Sequence, residues 1–418
     1  MSDRILLCKP RMSGKELGFI EEALREDWAV PLGPDVNAFE DELTNFVNSG
    51  NPHGNKVVVA LASGTSAVHL ALIACGVESG GEVMVQSFTF CASANPVAYL
   101  GATPVFVDSE AETWNMDPEL LDKAIADRIA KTGKKPKAII PVYLYGMPGR
   151  IDEIIAVGNK YGIPVIEDAA EGFGSRYDGC VCGTFGRFGV LSFNGNKMIT
   201  TSGGGALICP NEEAKRKVLW YATQARESYP YYQHEVIGYN YRLSNISACI
   251  GRAQMTVLDK YLAHHRHVHE LYAELLKDVK GIKLHNNPSP RYDSNFWLCN
   301  ITLDPDLKVR GQEYAYSTVV KGAVGGAAGV IHQAECAHTA IEPNANVEAM
   351  RVFLDKAGIE SRPLWKPMHL QPVYATNPAY TNGVSEALFR VGLCLPAGPY
   401  VTDENVHYIV DKIKEAIL

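Results

Sequence analysis

Hydrophobic positions near the start of the chain recur at helical spacing. Over residues 13–22 and just beyond, Leu17, Ile20 and Leu24 share one face, and Ser13 is placed to cap the helix. After a break at Gly33-Pro34, Val36, Phe39, Leu43 and Phe46 mark a second helix. From Lys56 the pattern changes. Short apolar runs (KVVVALA, EVMVQSFTF, PVFVD, KAIIPVYLYG and PVIED) alternate with helical segments (SGTSAVHLALIACG, CASANPVAYLGA, NMDPELLDKAI and RIDEIIAVGNKYG). This order predicts an α/β fold, a mostly parallel sheet covered by helices on both faces. GVLSF and GALIC read as further short strands, and NEEAKRKVLWYATQ as a helix. A single long helix is predicted from GYNYRLSNISACIGRAQM through LDKYLAHHRHVHELYAELL. Beyond about residue 275 a strand (NFWLCNITL) and two helical stretches (VEAMRVFLDKAGIESRPLW and ENVHYIVDKIKEAIL) predict a smaller α+β unit. The expected division is residues 1–255, a large α/β domain with a helical lead-in, and residues 256–418, a small domain. The Gly/Ala-rich segment 308–345 reads as an insertion in the latter.

Composition narrows the function. A chain of 418 residues with 46% hydrophobic and 21% charged residues is ordinary for a globular protein of two domains. The net charge of −8 comes without a basic block, which argues against nucleic acid and anionic membrane surfaces as partners. No apolar run approaches the roughly 18–20 residues that span a bilayer. ILLC is cut short by Lys9, so no secretion signal is expected and the chain reads as cytoplasmic, with its ten cysteines reduced. The C-x-C at Cys180 and Cys182 lacks a second pair, and no metal is expected there. His264, His265, His267 and His269 look like a metal tract, but their charged helical setting reads as a solvated face.

The candidate chemistry centres on residues 164–205. An apolar strand ends in Glu167 and Asp168; a second apolar run, 190–193, leads to Lys197 on a loop closed by Gly203, Gly204 and Gly205. A strand-end acid and a loop lysine are what a pyridoxal phosphate enzyme requires: an amine for the cofactor's aldehyde and a carboxylate for its ring nitrogen. Upstream, Ser63, Gly64, Thr65 and Ser66 stand between a strand and a helix N-terminus, an arrangement that suits either an anion or an ordinary helix cap. Phe90 lies past another strand end, where it can stack on a flat ring or pack in the core. In a parallel sheet these carboxyl ends share one edge, so the four features can converge.

The blocks ALASGTSAVHLAL, QSFTFCASANPVAYLGATPVFVD, PVIEDAAEGFGS, SFNGNKMITTSGGG and GYNYRLSNISA resemble, in order, those of the DegT/DnrJ/EryC1/StrS sugar aminotransferases. The resemblance covers about residues 56–254 and implies the aspartate-aminotransferase-like fold (fold type I) with pyridoxal 5′-phosphate as cofactor. It implies that Lys197 carries the cofactor, Asp168 pairs with the pyridine nitrogen, Glu171 sits near the 3-oxygen and Phe90 stacks on the ring. Gly64, Thr65, Ser66 and Ser192 would hold the phosphate, with Asn240 or Arg242 of a second copy completing the site across a homodimer. GIESRPLWKPMHLQPVY and GLCLPAG resemble the branch that makes UDP-4-amino-4,6-dideoxy-N-acetylglucosamine, a bacillosamine precursor. The implied reaction is transfer of an amine from glutamate to a nucleotide-linked 4-keto-6-deoxy sugar, for surface glycan or glycoprotein synthesis. Alternatives are a GDP-perosamine-type or 3-amino-sugar enzyme, or a non-catalytic protein keeping the fold. Related sugar dehydratases replace the lysine with histidine, so Lys197 argues against that chemistry. The chain departs from the family pattern at Tyr143, often histidine, at Glu171, often glutamine or histidine, and in the long 308–345 segment.

Overall fold

The computed structural model describes residues 4–52, 54–316 and 341–418. Eight strands form its central sheet. In spatial order they are Val57–Leu61, Gly205–Cys209, Phe188–Ser192, Ile166–Asp168, Ala138–Ile140, Glu82–Gln86, Thr103–Val107 and Ala379–Tyr380. Bridges from Ile139 to Val165 and from Val142 to Asp168 join its two halves. Gly205–Cys209 alone runs antiparallel to its neighbours. Both faces are covered, which explains why these strands read as continuous apolar runs. On Val57–Leu61, Val59 and Leu61 enter one core cluster, while Val58 and Ala60 enter another on the opposite face. Helix Gly64–Ala74 packs on the first face; helices Pro34–Asn48 and Asn245–Met255 pack on the second.

A second, antiparallel sheet has the order Ile282–Leu284, Cys299–Leu303, Gly392–Leu395 and Arg362–Pro363. It shares a core with helices Leu258–Leu276, Ala345–Lys356 and Asp403–Ala416. The mostly parallel sheet with a smaller α+β unit is the fold class expected above. Two chain segments cross between these regions. Ala379–Tyr380 pairs with Thr103–Val107 in the large sheet, and Ile5 bridges to Ile359 beside the small one.

Several local expectations need correction. The first helix is Glu16–Arg25, and its start is closed by the Glu16 carboxylate, which accepts from the Ser13 and Gly14 amides at 2.7 and 2.9 Å. Its apolar positions Leu17 and Leu24 are exposed, and Ala23 is buried instead. The single long helix is two, Asn245–Met255 and Leu258–Leu276, parted at Thr256 and Val257. The histidine tract is a solvated face only in part: His267 is exposed, but His265 and His269 are buried. His265 Nδ1 lies 3.1 Å from the Phe296 carbonyl, and His269 stacks on the Phe296 ring with centroids 3.5 Å apart. Most of the expected 308–345 insertion lies outside the described residues. Among the described residues no helix is long and apolar enough to cross a membrane.

Candidate active site

The strand Ile166–Asp168 delivers two adjacent acids to opposite faces, as strand geometry requires. Asp168 faces the cavity. Its Oδ2 accepts from the Ser93 hydroxyl at 2.6 Å and its Oδ1 from the Ala170 amide at 3.1 Å. Thr89 Oγ1 lies 2.8 Å from Ser93 Oγ, so the chain of contacts continues outward. Burial pushes the Asp168 carboxyl up from its ordinary value, against the pull of these donors and of Lys197. Glu167, on the other face, is held by the Gly183 amide at 2.8 Å and by the Tyr143 hydroxyl. It supports the turn behind the site.

The lysine loop is a closed structure. The Phe193 amide donates to the Gly204 carbonyl at 2.9 Å, and the Thr201 amide to the Phe193 carbonyl at 3.0 Å. Between these bonds Lys197 projects inward, its own amide bonded to the Asn194 carbonyl at 2.9 Å. Lys197 Nζ lies 3.1 Å from Glu171 Oε1, and Glu171 Oε2 accepts from the Tyr145 amide at 2.7 Å. Burial pushes the Glu171 carboxyl up, and the facing lysine opposes that shift. Removing either partner of so buried a pair leaves an uncompensated charge.

The third component is the N-terminus of helix Gly64–Ala74. Ser63 caps it, its Oγ accepting from the Ser66 amide at 3.0 Å while Ser66 Oγ accepts from the Ser63 amide at 3.0 Å. The Ser66 hydroxyl is therefore engaged in the cap, behind the cavity wall. Gly64, Thr65 and Ser192 are at that wall, with Gly64 next to Ser192. A Cβ on Gly64 would stand 3.1 Å from Ser192 Cβ, and one on Gly205 only 2.4 Å from the Gly64 nitrogen, so small residues shape this cradle. A helix N-terminus with backbone that close suits an anion.

Gly64, Thr65, Phe90, Asp168, Glu171, Ser192 and Lys197 all line one cavity of about 340 Å³. Phe90 is 55% exposed at its mouth and tilts against Trp365, with ring centroids 5.5 Å apart. The remaining sequence candidates are elsewhere in this chain. Asn240 is exposed; Arg242 Nη1 pairs with Glu40 Oε1 at 2.6 Å and donates to the Ala60 carbonyl at 3.1 Å. Sequence reasoning missed Ser93, Trp297 and Trp365. Ser93 follows Phe90 in the same loop, where its small polar side chain was a usable signal. The two tryptophans reach the cavity from distant segments, with nothing local to mark them.

The donor set fits pyridoxal 5′-phosphate. It offers a cradle for a phosphate, an exposed aromatic face, a buried carboxylate that a ring cation would relieve, and one lysine amine. With the sheet order above, these features define the class of fold type I pyridoxal phosphate transferases. The chain belongs to the DegT/DnrJ/EryC1/StrS aminotransferase family, whose model matches residues 10–313 and 326–414. It is thus a pyridoxal-phosphate-dependent aminotransferase that acts on nucleotide sugars. It is 42% identical to EpsN of Bacillus subtilis, named as a pyridoxal phosphate-dependent aminotransferase, over 98% of this chain and 95% of that protein. It is 31% identical to the GDP-perosamine synthase of Escherichia coli O157:H7, covering 98% of each. The crystal structure of a DegT DnrJ EryC1 StrS aminotransferase from Brucella abortus superposes with a TM-score of 0.80 at 28% identity, over 96% of this chain and 95% of that one.

Proposed function

We propose that this enzyme transfers an amine from glutamate to C4 of a nucleotide-linked 4-keto-6-deoxy sugar, UDP-2-acetamido-2,6-dideoxy-4-keto-hexose. The observation that carries the catalytic part is the Lys197–Glu171 pair, 3.1 Å apart on the wall that also holds Asp168 and Gly64. The sugar and nucleotide rest on the C-terminal blocks around Trp365 and Leu393, which resemble the bacillosamine branch. The bound cofactor supplies an aldehyde that captures amines and a protonated ring that draws electrons from the reacting carbon.

The residues divide the remaining work. Asp168 holds the proton on the ring nitrogen, and Ser93 and Ala170 hold Asp168. Gly64, Thr65 and Ser192 bind the phosphate at the helix N-terminus, with Ser66 shaping the turn from behind. Phe90 covers one face of the ring. Lys197, as a free amine, would take the proton from the donor's α-carbon and later return one to C4 of the sugar. Glu171 orients that amine and holds its charge when it is protonated. We further propose that two copies complete each other's sites, with Asn240 or Arg242 near the partner's phosphate cradle.

A panel of UDP-, GDP- and dTDP-linked 4-keto-6-deoxy sugars, assayed with glutamate, tests the substrate. Turnover of the UDP sugar above the others supports the proposal. Exclusive turnover of a GDP sugar, as the name of the Escherichia coli relative suggests, replaces it with the perosamine reading.

A further inference from the structure

Residues 295–297, just ahead of the strand Cys299–Leu303, touch both partners of the Lys197–Glu171 pair. Asn295 Nδ2 donates to the carbonyls of Glu171 and Phe173 at 2.8 and 2.9 Å, and its Oδ1 accepts from the Trp297 amide at 2.8 Å. Trp297 Nε1 donates to the Asn196 carbonyl at 2.7 Å, in the peptide bond that leads into Lys197. The Cys8 thiol reaches the same carbonyl at 3.0 Å. The Trp297 ring face lies 4.2 Å from Lys197 Nζ.

The link between Asn295 and Trp297 is unusual. Phe296 has a φ of +47°, a left-handed conformation that a bulky residue adopts only where its surroundings hold it. Three contacts do so: the Ser294 hydroxyl accepts its amide at 2.9 Å, His265 meets its carbonyl, and His269 stacks on its ring. The buried part of the histidine tract thus acts as an anchor for this kink, and the kink aims the Trp297 indole at the lysine loop.

We propose that Trp297 is a positioning residue of the reaction: its indole N–H fixes the Asn196–Lys197 peptide and its ring face holds the Lys197 ammonium beside Glu171. This rests on Lys197 being the cofactor-bearing lysine. A flexible lysine arm gains most from a fixed root, because reactivity depends on a narrow approach geometry. The negative face of the indole attracts a cation, and so holds the end of the arm in place.

Covalent capture of pyridoxal phosphate by the apo-protein measures both effects without turnover. The amine nitrogen adds to the aldehyde carbon, one water leaves, and visible absorbance reports the rate. Trp297→Phe keeps a ring face but loses the N–H, and slows capture about tenfold. Trp297→Leu loses both and lowers the limiting capture rate further, while the pyridoxal phosphate concentration that gives half that rate stays unchanged. Cys8→Ala removes the other donor and slows capture less than Trp297→Phe, with an effect that does not add to it. Should the tryptophan variants fail to fold, Cys8→Ala alone must slow capture for the proposal to stand. Folded Trp297 variants with wild-type limiting capture rates overturn it. Lys197→Ala is the separate control: capture surviving there refutes the lysine assignment itself, whereas a blank control with normal Trp297 variants refutes only the positioning role.

Discussion

Replacing Asp168 by Asn tests the electron-withdrawing half of the site. The side chain is buried, with one oxygen on Ser93 and the other on the Ala170 amide. Asn keeps the shape and can still accept from one of these donors while losing the charge. Breaking a buried pair by removing one partner costs about 3–5 kcal/mol. If most of that is felt in the transition state, at about 1.4 kcal/mol per decade, kcat falls by about 10²–10³. The assay is stopped-flow mixing of the cofactor-loaded variant with glutamate alone, which isolates the first half-reaction, beside a thermal melt. A rate within about threefold of wild type in a folded variant refutes the assignment of Asp168 to the ring nitrogen. A loss seen equally in kcat and melting temperature would point instead to a structural role.

Further outcomes follow from the same geometry. Gly64→Ala pushes a methyl against Ser192, and weakens cofactor affinity about tenfold, or about 1.4 kcal/mol, in equilibrium dialysis. Tyr143→Phe takes the hydroxyl from buried Glu167 and lowers stability by about 1–3 kcal/mol in urea unfolding, with little direct effect on the half-reaction. His265, His269 and His285 are each pushed down by burial to about 4, from about 6.5 in an unfolded chain. The unfolded state therefore binds more protons between these values, so stability is fully present above about pH 6.5 and is lost as pH falls toward 4. Melting temperatures measured from pH 7 to 4.5 will show that fall, and His265→Gln will make it shallower.

Much of the site was legible because its chemistry and its chain order coincide. Asp168 ends a strand whose apolar run is unbroken, and Lys197 stands on a loop closed by three glycines, so both could be placed before any packing was known. Parallel strands then put their carboxyl ends on one edge. Other features were invisible for stated physical reasons. Trp297 and Trp365 enter the cavity through tertiary packing from distant segments, and a tryptophan in an apolar run signals only burial. Ala379–Tyr380 is a two-residue strand, too short to show any period. At Leu17 and Leu24 the spacing identified a common face correctly, but spacing cannot say whether a face is covered within the chain. The histidines misled because a polar residue type suggested solvent, whereas His265 Nδ1 and His269 Nε2 each meet a backbone carbonyl and His269 also stacks on an aromatic ring.

Everything proposed for the site depends on Lys197 being the residue to which the cofactor is bound. Reducing the cofactor-loaded enzyme with borohydride makes that bond permanent, and peptide mass mapping then locates it. One pyridoxyl-modified peptide is expected, carrying its added mass on Lys197, and none in Lys197→Ala. Modification at another lysine in the wild-type enzyme, with Lys197 untouched, would contradict it.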